Sequence, residues 1–254
     1  MKLLFIRHGD PDYEHDTLTG KGEREAELLA KRMAGYGEAH VIRDIYVSSM
    51  GRARKTAQYS LEALKREPTA VYDWLREFGG TCVRPDRGEM FMCWDWLPQD
   101  WAADIRNFGK DTWRETETML DPQATAVERY DYVTSELDAL LARHGYERES
   151  KENGGFYYRA VEPNTDTLVF FCHFGVESVL LSHLTGISPM LLWHTTSAAP
   201  TSVTTVITEE RRPGIAFWRI NAYGDVSHLY AGGEEPSFSA RFCECYENAD
   251  ERHD

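Results

Sequence analysis

Two arginines, two histidines and a glutamate stand where short apolar runs end. Arg7 and His8 follow "LLFI" with no spacer; Ser48 and Ser49 close "DIYVSS", with Arg52 just beyond; Glu77 follows "AVYDWL"; and His173 follows "TLVFFC". Each has a bland reading on its own: a hydrogen-bonded structural histidine, a surface carboxylate, a salt-bridge arginine. Repetition at the ends of four runs changes the reading, because open α/β sheets bind ligands beyond the carboxyl ends of their strands. If the strands are parallel, the five side chains gather at one edge and form an anion site.

The segment after Ser49 points the same way. Arg52, Arg54 and Lys55 fall in the first turn of a helical pattern, where the positive end of the helix dipole disfavours cations. A bound anion reverses that sign, since free N–H groups at a helix N-terminus attract negative charge. The chain as a whole carries a net charge of −14, which argues against nucleic acid as a partner. A local cluster of cations in such a chain needs a local reason.

The elements that would position these groups alternate between strand and helix. Strands are expected at Lys2 to Ile6, at "DIYVSS", at "AVYDWL" and at "TLVFFC". Helices are expected from Gly20 to Ala34, with Thr19 as N-cap and Gly35 and Gly37 as terminators; from Gly51 to Lys65; from Ala126 to Arg143; and from Val176 to Leu184. Three late strands are expected at "SVTTVIT", "IAFWRI" and "VSHLY". This pattern predicts an α/β protein, a three-layer α/β/α arrangement on a mostly parallel sheet.

A single domain over residues 1–254 is expected, with an insertion or cap at about 78–165. Five of the seven tryptophans lie between Trp74 and Trp113, which predicts a packed insertion and not a linker. The stretch from Gly145 to Asp166 reads as polar, exposed and hairpin-like, and the tail after Gly232 as draped on the surface. No run approaches the ~20 apolar residues of a membrane span, and no leader is read at the N-terminus. Five cysteines, with Cys172 inside an apolar run, suggest reduced thiols and a cytoplasmic setting. Cys243, Cys245 and His253 fit no usual zinc spacing, so neither a metal nor a cofactor is expected.

Taken in order, these segments resemble the histidine phosphatase superfamily, the phosphoglycerate mutase-like proteins. "RHG" is similar to the family's signature, "LTGKGEREAELLA" to its Leu-Thr-x-x-Gly helix start, and "VSSMGRARKTA" to the segment carrying its second arginine. "WLRE" resembles the acid-bearing segment, "FFCHFGV" the second-histidine segment and "PTSVTTV" a late strand. The resemblance implies a phosphoglycerate mutase-like fold and a metal-independent phosphomonoester hydrolase acting on a small phosphorylated metabolite. His8 would be the nucleophile that becomes phosphohistidine, and Arg7, Arg52 and His173 would hold the phosphoryl oxygens. Glu77 would be the general acid and then the base. Gly9, Asp10, Thr19, Ser49 and Phe174 would complete the substrate site, and a backbone carbonyl near Gly9 would fix the His8 tautomer.

Departures from the family limit the substrate. Mutases of the family follow the histidine with Glu-Ser and a nearby Trp-Asn, where this chain has Asp10-Pro11-Asp12-Tyr13. Their Arg-x-Tyr-Gly-like stretch after the acid is replaced by "FGGTCVRPD", Arg211 and Arg212 fall in a late turn, and Pro11 stands where the phytase-like branch has an arginine. A phosphatase of the simpler branch is therefore favoured over a mutase and over a phytase-like enzyme. The intact five-residue constellation favours it over a non-catalytic phospho-ligand binder, which has no use for both His8 and Glu77. Arg84, Arg87 and the aromatic insertion are expected to form a lid.

Overall fold

The structure is a computed structural model, and it describes residues 1–149, 156–239 and 247. Eight strands form its main sheet: β1 (Lys2–Arg7), β2 (Ile42–Ser48), β3 (Ala70–Tyr72), β4 (Tyr146–Arg148), β5 (Tyr158–Ala160), β6 (Thr167–Cys172), β7 (Val203–Arg212) and β8 (Ile215–Asp225). Their order is β3-β2-β6-β1-β7-β8-β5-β4. The first four in that order are mutually parallel, and every later pairing is antiparallel. The sheet is thus mixed, and its parallel half carries the site. Register aligns the strand ends there: Arg7 lies opposite Cys172, Phe171 opposite Val47, and Ser48 opposite Tyr72.

The helices that bear on the site and its packing are α1 (Gly20–Ala39), α2 (Gly51–Leu64), α3 (Ala126–Arg143), α4 (Phe174–Thr185), α5 (Pro189–Thr195) and α6 (Ser227–Ala231). Alternation along β1 splits the core into two layers. Leu4 and Ile6 pack with Leu29 and Met33 of α1 and Ala57 of α2. Leu3 and Phe5 face the larger cluster with Leu137 of α3, Val179 of α4 and Trp193 of α5. Trp94, Trp96 and Trp113 of the insertion belong to this second cluster.

Several elements differ from their expected form. α1 continues through Gly35 and Gly37 to Ala39, because α2 packs against it: a Cβ on Gly37 would meet Leu64 Cδ2 at 2.6 Å. "VSHLY" is a helix, α6, because the Asp225 carboxylate accepts the Ser227 N–H at 2.8 Å and turns the chain. The expected hairpin is present as β4–β5, but it extends the main sheet with Tyr146 and Tyr158 buried; residues 150–155 between its strands lie outside the described residues. Beyond Gly232 the chain to residue 239 is tied down: Glu234 pairs with Lys21 and Arg24, and the Ser237 N–H donates to Glu25 Oε1 at 2.9 Å. Cys243, Cys245 and His253 lie outside the described residues. Among the described residues no group of three metal-ligating side chains occurs, and no helix is long and apolar enough to cross a membrane.

Candidate active site

His8 leaves the end of β1 with its ring 2% exposed and 5.0 Å, centroid to centroid, from that of His173. Its Nδ1 lies 2.7 Å from the Gly9 carbonyl oxygen. A carbonyl only accepts, so Nδ1 carries the proton and Nε2 is left with its lone pair. Gly9 is fixed in turn by its N–H, which donates to Thr56 Oγ1 of α2 at 2.9 Å. Burial, reinforced by the charges of Arg7 and Arg52, holds the His8 pKa well below the ordinary histidine value, so the ring is neutral at pH 7.

His173 is fully buried at the mouth of β6, where it precedes the first residue of α4. Its Nε2 is 2.9 Å from Ser48 Oγ. Ser48 Oγ also accepts the Met50 N–H at 3.3 Å, and among the described residues Nε2 is the acceptor that its O–H meets; with that O–H donated to Nε2, the His173 proton sits on Nδ1. Nδ1 is buried and has no hydrogen-bond partner among the described residues; Arg52 Nε is in the same condition. Two buried donors without acceptors, beside two arginines, are what a phosphoryl oxygen would satisfy. Burial, then the neighbouring His8, Arg52 and Arg7, also lowers the His173 pKa far below its usual value.

The arginines are fixed by oxygen atoms of the protein. Arg7, 2% exposed, donates from one terminal nitrogen to the Ala198 carbonyl at 2.6 Å. Arg52 donates to Asp16 Oδ1 at 2.8 Å, and the other Asp16 oxygen accepts the Gly51 N–H at 2.6 Å. The anion expected at the α2 N-terminus is therefore a side chain of the chain itself. Arg54 is exposed and Lys55 pairs with Glu23 at 3.6 Å, so neither joins the site.

Glu77 closes the opposite wall. Its Oε1 accepts two backbone N–H groups, from Phe78 at 2.7 Å and Val176 at 3.2 Å. Oε2 is then the oxygen able to carry a proton. Burial raises the Glu77 pKa, and the two N–H groups with Arg52 and Arg7 only partly oppose it. The approach to α4 depends on Gly175, where a Cβ would stand 2.6 Å from Glu77 Oε1 and 3.2 Å from Trp94.

The remaining expected site residues divide. Gly9 and Phe174 are at the site; Phe174 is 1% exposed and meets Trp94 edge-on. Asp10 and Thr19 are not presented to a ligand, because Thr19 Oγ1 donates to Asp10 Oδ2 at 2.7 Å while Ser237 Oγ donates to the other carboxylate oxygen. They brace the loop after His8 against α1, where a Cβ on Gly22 would meet the Asp10 carbonyl at 2.3 Å. Ser49 bonds to Asp73 at 2.5 Å, and the serine on His173 is Ser48, one residue earlier. Of the insertion's arginines, Arg84 is 2% exposed and bonded to Asp86 and the Trp94 and Asp95 carbonyls, so it is not presented to a ligand, and Arg87 stands over Phe91. Asp16, Thr56, Gly175 and Glu177 join the site without being expected there, and Ser48, expected at the strand end, makes the contact in place of Ser49. Only Glu177 had a usable signal, as the one carboxylate in the apolar helix "FGVESVLLSHLT".

A strand-end pair of histidines, two buried arginines and a carboxyl group on a half-parallel sheet define a class, and comparison with known proteins names it. Residues 3–221 match the family model of the histidine phosphatase superfamily, branch 1, and the chain belongs to that family. A probable phosphoglycerate mutase GpmB from Serratia proteamaculans is 33% identical over 72 residues, 25% of this chain and 32% of that relative. That match spans about a third of the length of the curated relative. Among solved structures, a phosphoserine phosphatase mutant from Entamoeba histolytica in complex with phosphoserine shares the fold at TM-score 0.55 and 18% identity, over 90% of this chain and 98% of that one. A mycobacterial glucosyl-3-phosphoglycerate phosphatase aligns at TM-score 0.54 and 18% identity, over 88% and 98% of the respective chains.

Proposed function

We propose that the protein is a metal-independent phosphomonoester hydrolase that works through a phosphohistidine at His8. The observation that carries this reading is the His8 tautomer: a proton held on Nδ1 by Gly9 leaves Nε2 as a buried, uncharged nucleophile. Nε2 attacks phosphorus while the ester P–O bond breaks, and Glu77 gives its proton to the departing oxygen. The Nδ1–H to Gly9 bond offsets the positive charge that the ring acquires. In the second half, the Glu77 carboxylate takes a proton from water as the water oxygen attacks phosphorus. The P–N bond then breaks, its electrons return to Nε2, and inorganic phosphate leaves. Arg7, Arg52 and the His173 Nδ1–H stabilise charge on the phosphoryl oxygens in both steps.

The fold neighbours support hydrolysis over mutase chemistry, since the two aligned over most of their length are phosphatases, of phosphoserine and of glucosyl-3-phosphoglycerate. The substrate proposed here is a small phosphorylated metabolite, turned over in a reducing cytoplasm; the three described cysteines, all buried free thiols, support that setting. The test is turnover of p-nitrophenyl phosphate from about pH 4 to 8 with a chelator present, followed by a screen that includes phosphoserine and 3-phosphoglycerate. Hydrolysis by wild type and its loss in His8→Ala is the expected result. No turnover by wild type on any ester, or full turnover by His8→Ala, would overturn the proposal.

A further inference from the structure

Glu177 is an acid that the phosphoryl-transfer steps do not use. It lies on α4 one turn beyond His173, 1% exposed, in a helix otherwise built of apolar and small neutral residues apart from His183. Among the described residues neither carboxylate oxygen has a partner at full hydrogen-bonding geometry; the Thr204 hydroxyl of β7 is the side-chain donor that faces it. The charged groups that act on it are Arg7 at the end of β1 and Glu77 beyond β3. Cys172 of β6 and Tyr223 of β8 complete its surroundings, each feeling the carboxylate as a like charge. From the other packed elements, α5 brings Trp193, which donates to the Gly175 carbonyl. Tyr130 and Asp138 of α3 meet α4 further along, at Ser182 and His183.

A buried carboxyl with unsatisfied oxygens is costly unless it is neutral or paired. The cation that acts on it, Arg7, is already assigned to the phosphoryl group. We propose that Glu177 is a positioning residue for Arg7: neutral when a phosphate occupies the site, it competes with the anion for Arg7 once ionised, so that phosphate binding takes up a proton. This rests on the phosphatase reading of the site. Burial pushes the Glu177 carboxyl up to about 8, with the Thr204 hydroxyl and Arg7 opposing and Glu77 adding to the rise. Near neutral pH it is thus largely protonated and Arg7 keeps its full charge for the substrate. Above that range the carboxylate forms, repels a dianionic ester and draws the guanidinium to itself. Cys172 and Tyr223 have raised pKa values and His8 and His173 lowered ones, so none of these four shares that window.

The test measures KM for p-nitrophenyl phosphate and the inhibition constant of inorganic phosphate from about pH 7 to 9.5, in wild type and in Glu177→Gln. In wild type both constants should rise several-fold across the range; in Glu177→Gln the rise should shrink to the part that ionisation of Glu77 gives both proteins, and the pH dependence of kcat, set by Glu77, is common to both. A merely structural Glu177 would change stability or kcat and leave the alkaline rise in place, and that outcome overturns the proposal. Should the variant fold poorly, calorimetric titration of inorganic phosphate into wild type at about pH 8.5, in two buffers of different ionisation enthalpy, reads proton uptake directly. Sulfate, a dianion that takes up no proton in this range, is titrated alongside, and Glu77→Gln separates uptake at Glu177 from uptake at Glu77; zero uptake with both anions overturns the inference. Phosphate binding that is independent of pH counts against Glu177 alone; a protein that binds no phosphate at any pH removes the phosphatase reading and this inference together.

Discussion

The N-termini of α2 and α4 meet the same problem and solve it with carboxyl groups whose pKa values are shifted in opposite directions. Neither helix is capped by its own N-cap side chain, Met50 in one case and His173 in the other. A carboxylate from elsewhere in the chain accepts the free N–H groups instead: Asp16 at α2 and Glu77 at α4. The Asp16 side chain is 44% exposed. Although partial burial opposes ionisation, the Gly51 N–H and the Arg52 guanidinium hold its carboxyl below the ordinary range. At Glu77 the arginines act only at a distance, and there burial wins and the carboxyl is pushed up. One carboxylate is a permanent anion that orients Arg52, and the other is poised to exchange a proton. Solvent access and a direct guanidinium partner, more than helix-end geometry, separate a carboxyl held toward its anion from one held toward its neutral form.

The largest effect that would sharpen this contrast belongs to Glu77→Gln. The amide keeps the contact to Val176 but has no proton to give, so kcat/KM should fall by ~10²–10⁴ with alkyl phosphates. The fall should be smaller with p-nitrophenyl phosphate, whose leaving group needs less protonation. Equal losses on both esters would break the assignment of Glu77 as acid.

Next in size is Gly175→Ala, which puts a methyl 2.6 Å from Glu77 Oε1, too close for both to stay in place. Displacement by about an ångström predicts a loss of ~10²-fold in kcat, with thermal unfolding little changed. Wild-type kcat in this variant would show that the α4 end has no part in placing the acid.

The pH profile carries the comparison a step further. His8 must be neutral and its pKa is depressed, so activity is lost on the acid side only well below 6.5. Glu77 must be protonated for the first step and its pKa is raised above 4.5, so activity declines as pH rises through that higher value. A profile of kcat on an alkyl ester whose alkaline limb sits at an unshifted carboxylate value would contradict a buried acid.

The smallest effect is Asp16→Asn. It removes the Arg52 partner and weakens the α2 N-terminus, at about 1 kcal/mol of stability and a several-fold rise in KM. Because the Asp16 pKa is depressed, its contribution is present above 3.8 and is lost as pH falls through the folded value. Chemical denaturation of wild type and variant should therefore differ at neutral pH and converge in strong acid.

The strand ends are legible in the sequence because each apolar run stops abruptly at a charged or imidazole side chain, and register on a parallel sheet does the rest. The illegible parts are supplied across the fold. Asp16 serves Arg52 from 36 residues away, and the Ser48 contact to His173 spans 125. Ser49 in place of Ser48 is a slip of one residue, and on a strand that reverses the face. Asp10 and Thr19 read as substrate ligands because the residue that closes the Asp10 carboxylate from the tail, Ser237, is 227 residues away in sequence. The helical α6 escapes notice because Val226 and the apolar alternation of "VSHLY" read as strand, whereas the Asp225 turn decides locally. Glu177 is legible in principle, as a carboxylate that an apolar helix has no reason to bury.

The most direct test of the phosphohistidine mechanism is to trap the enzyme during turnover of a radiolabelled phosphate ester and follow the label through acid and alkali. The predicted result is a phosphoprotein that is stable in alkali, lost in acid, carries the label on His8 and is absent from His8→Ala. Turnover without any trapped label, or a label that survives acid or persists in His8→Ala, would contradict it.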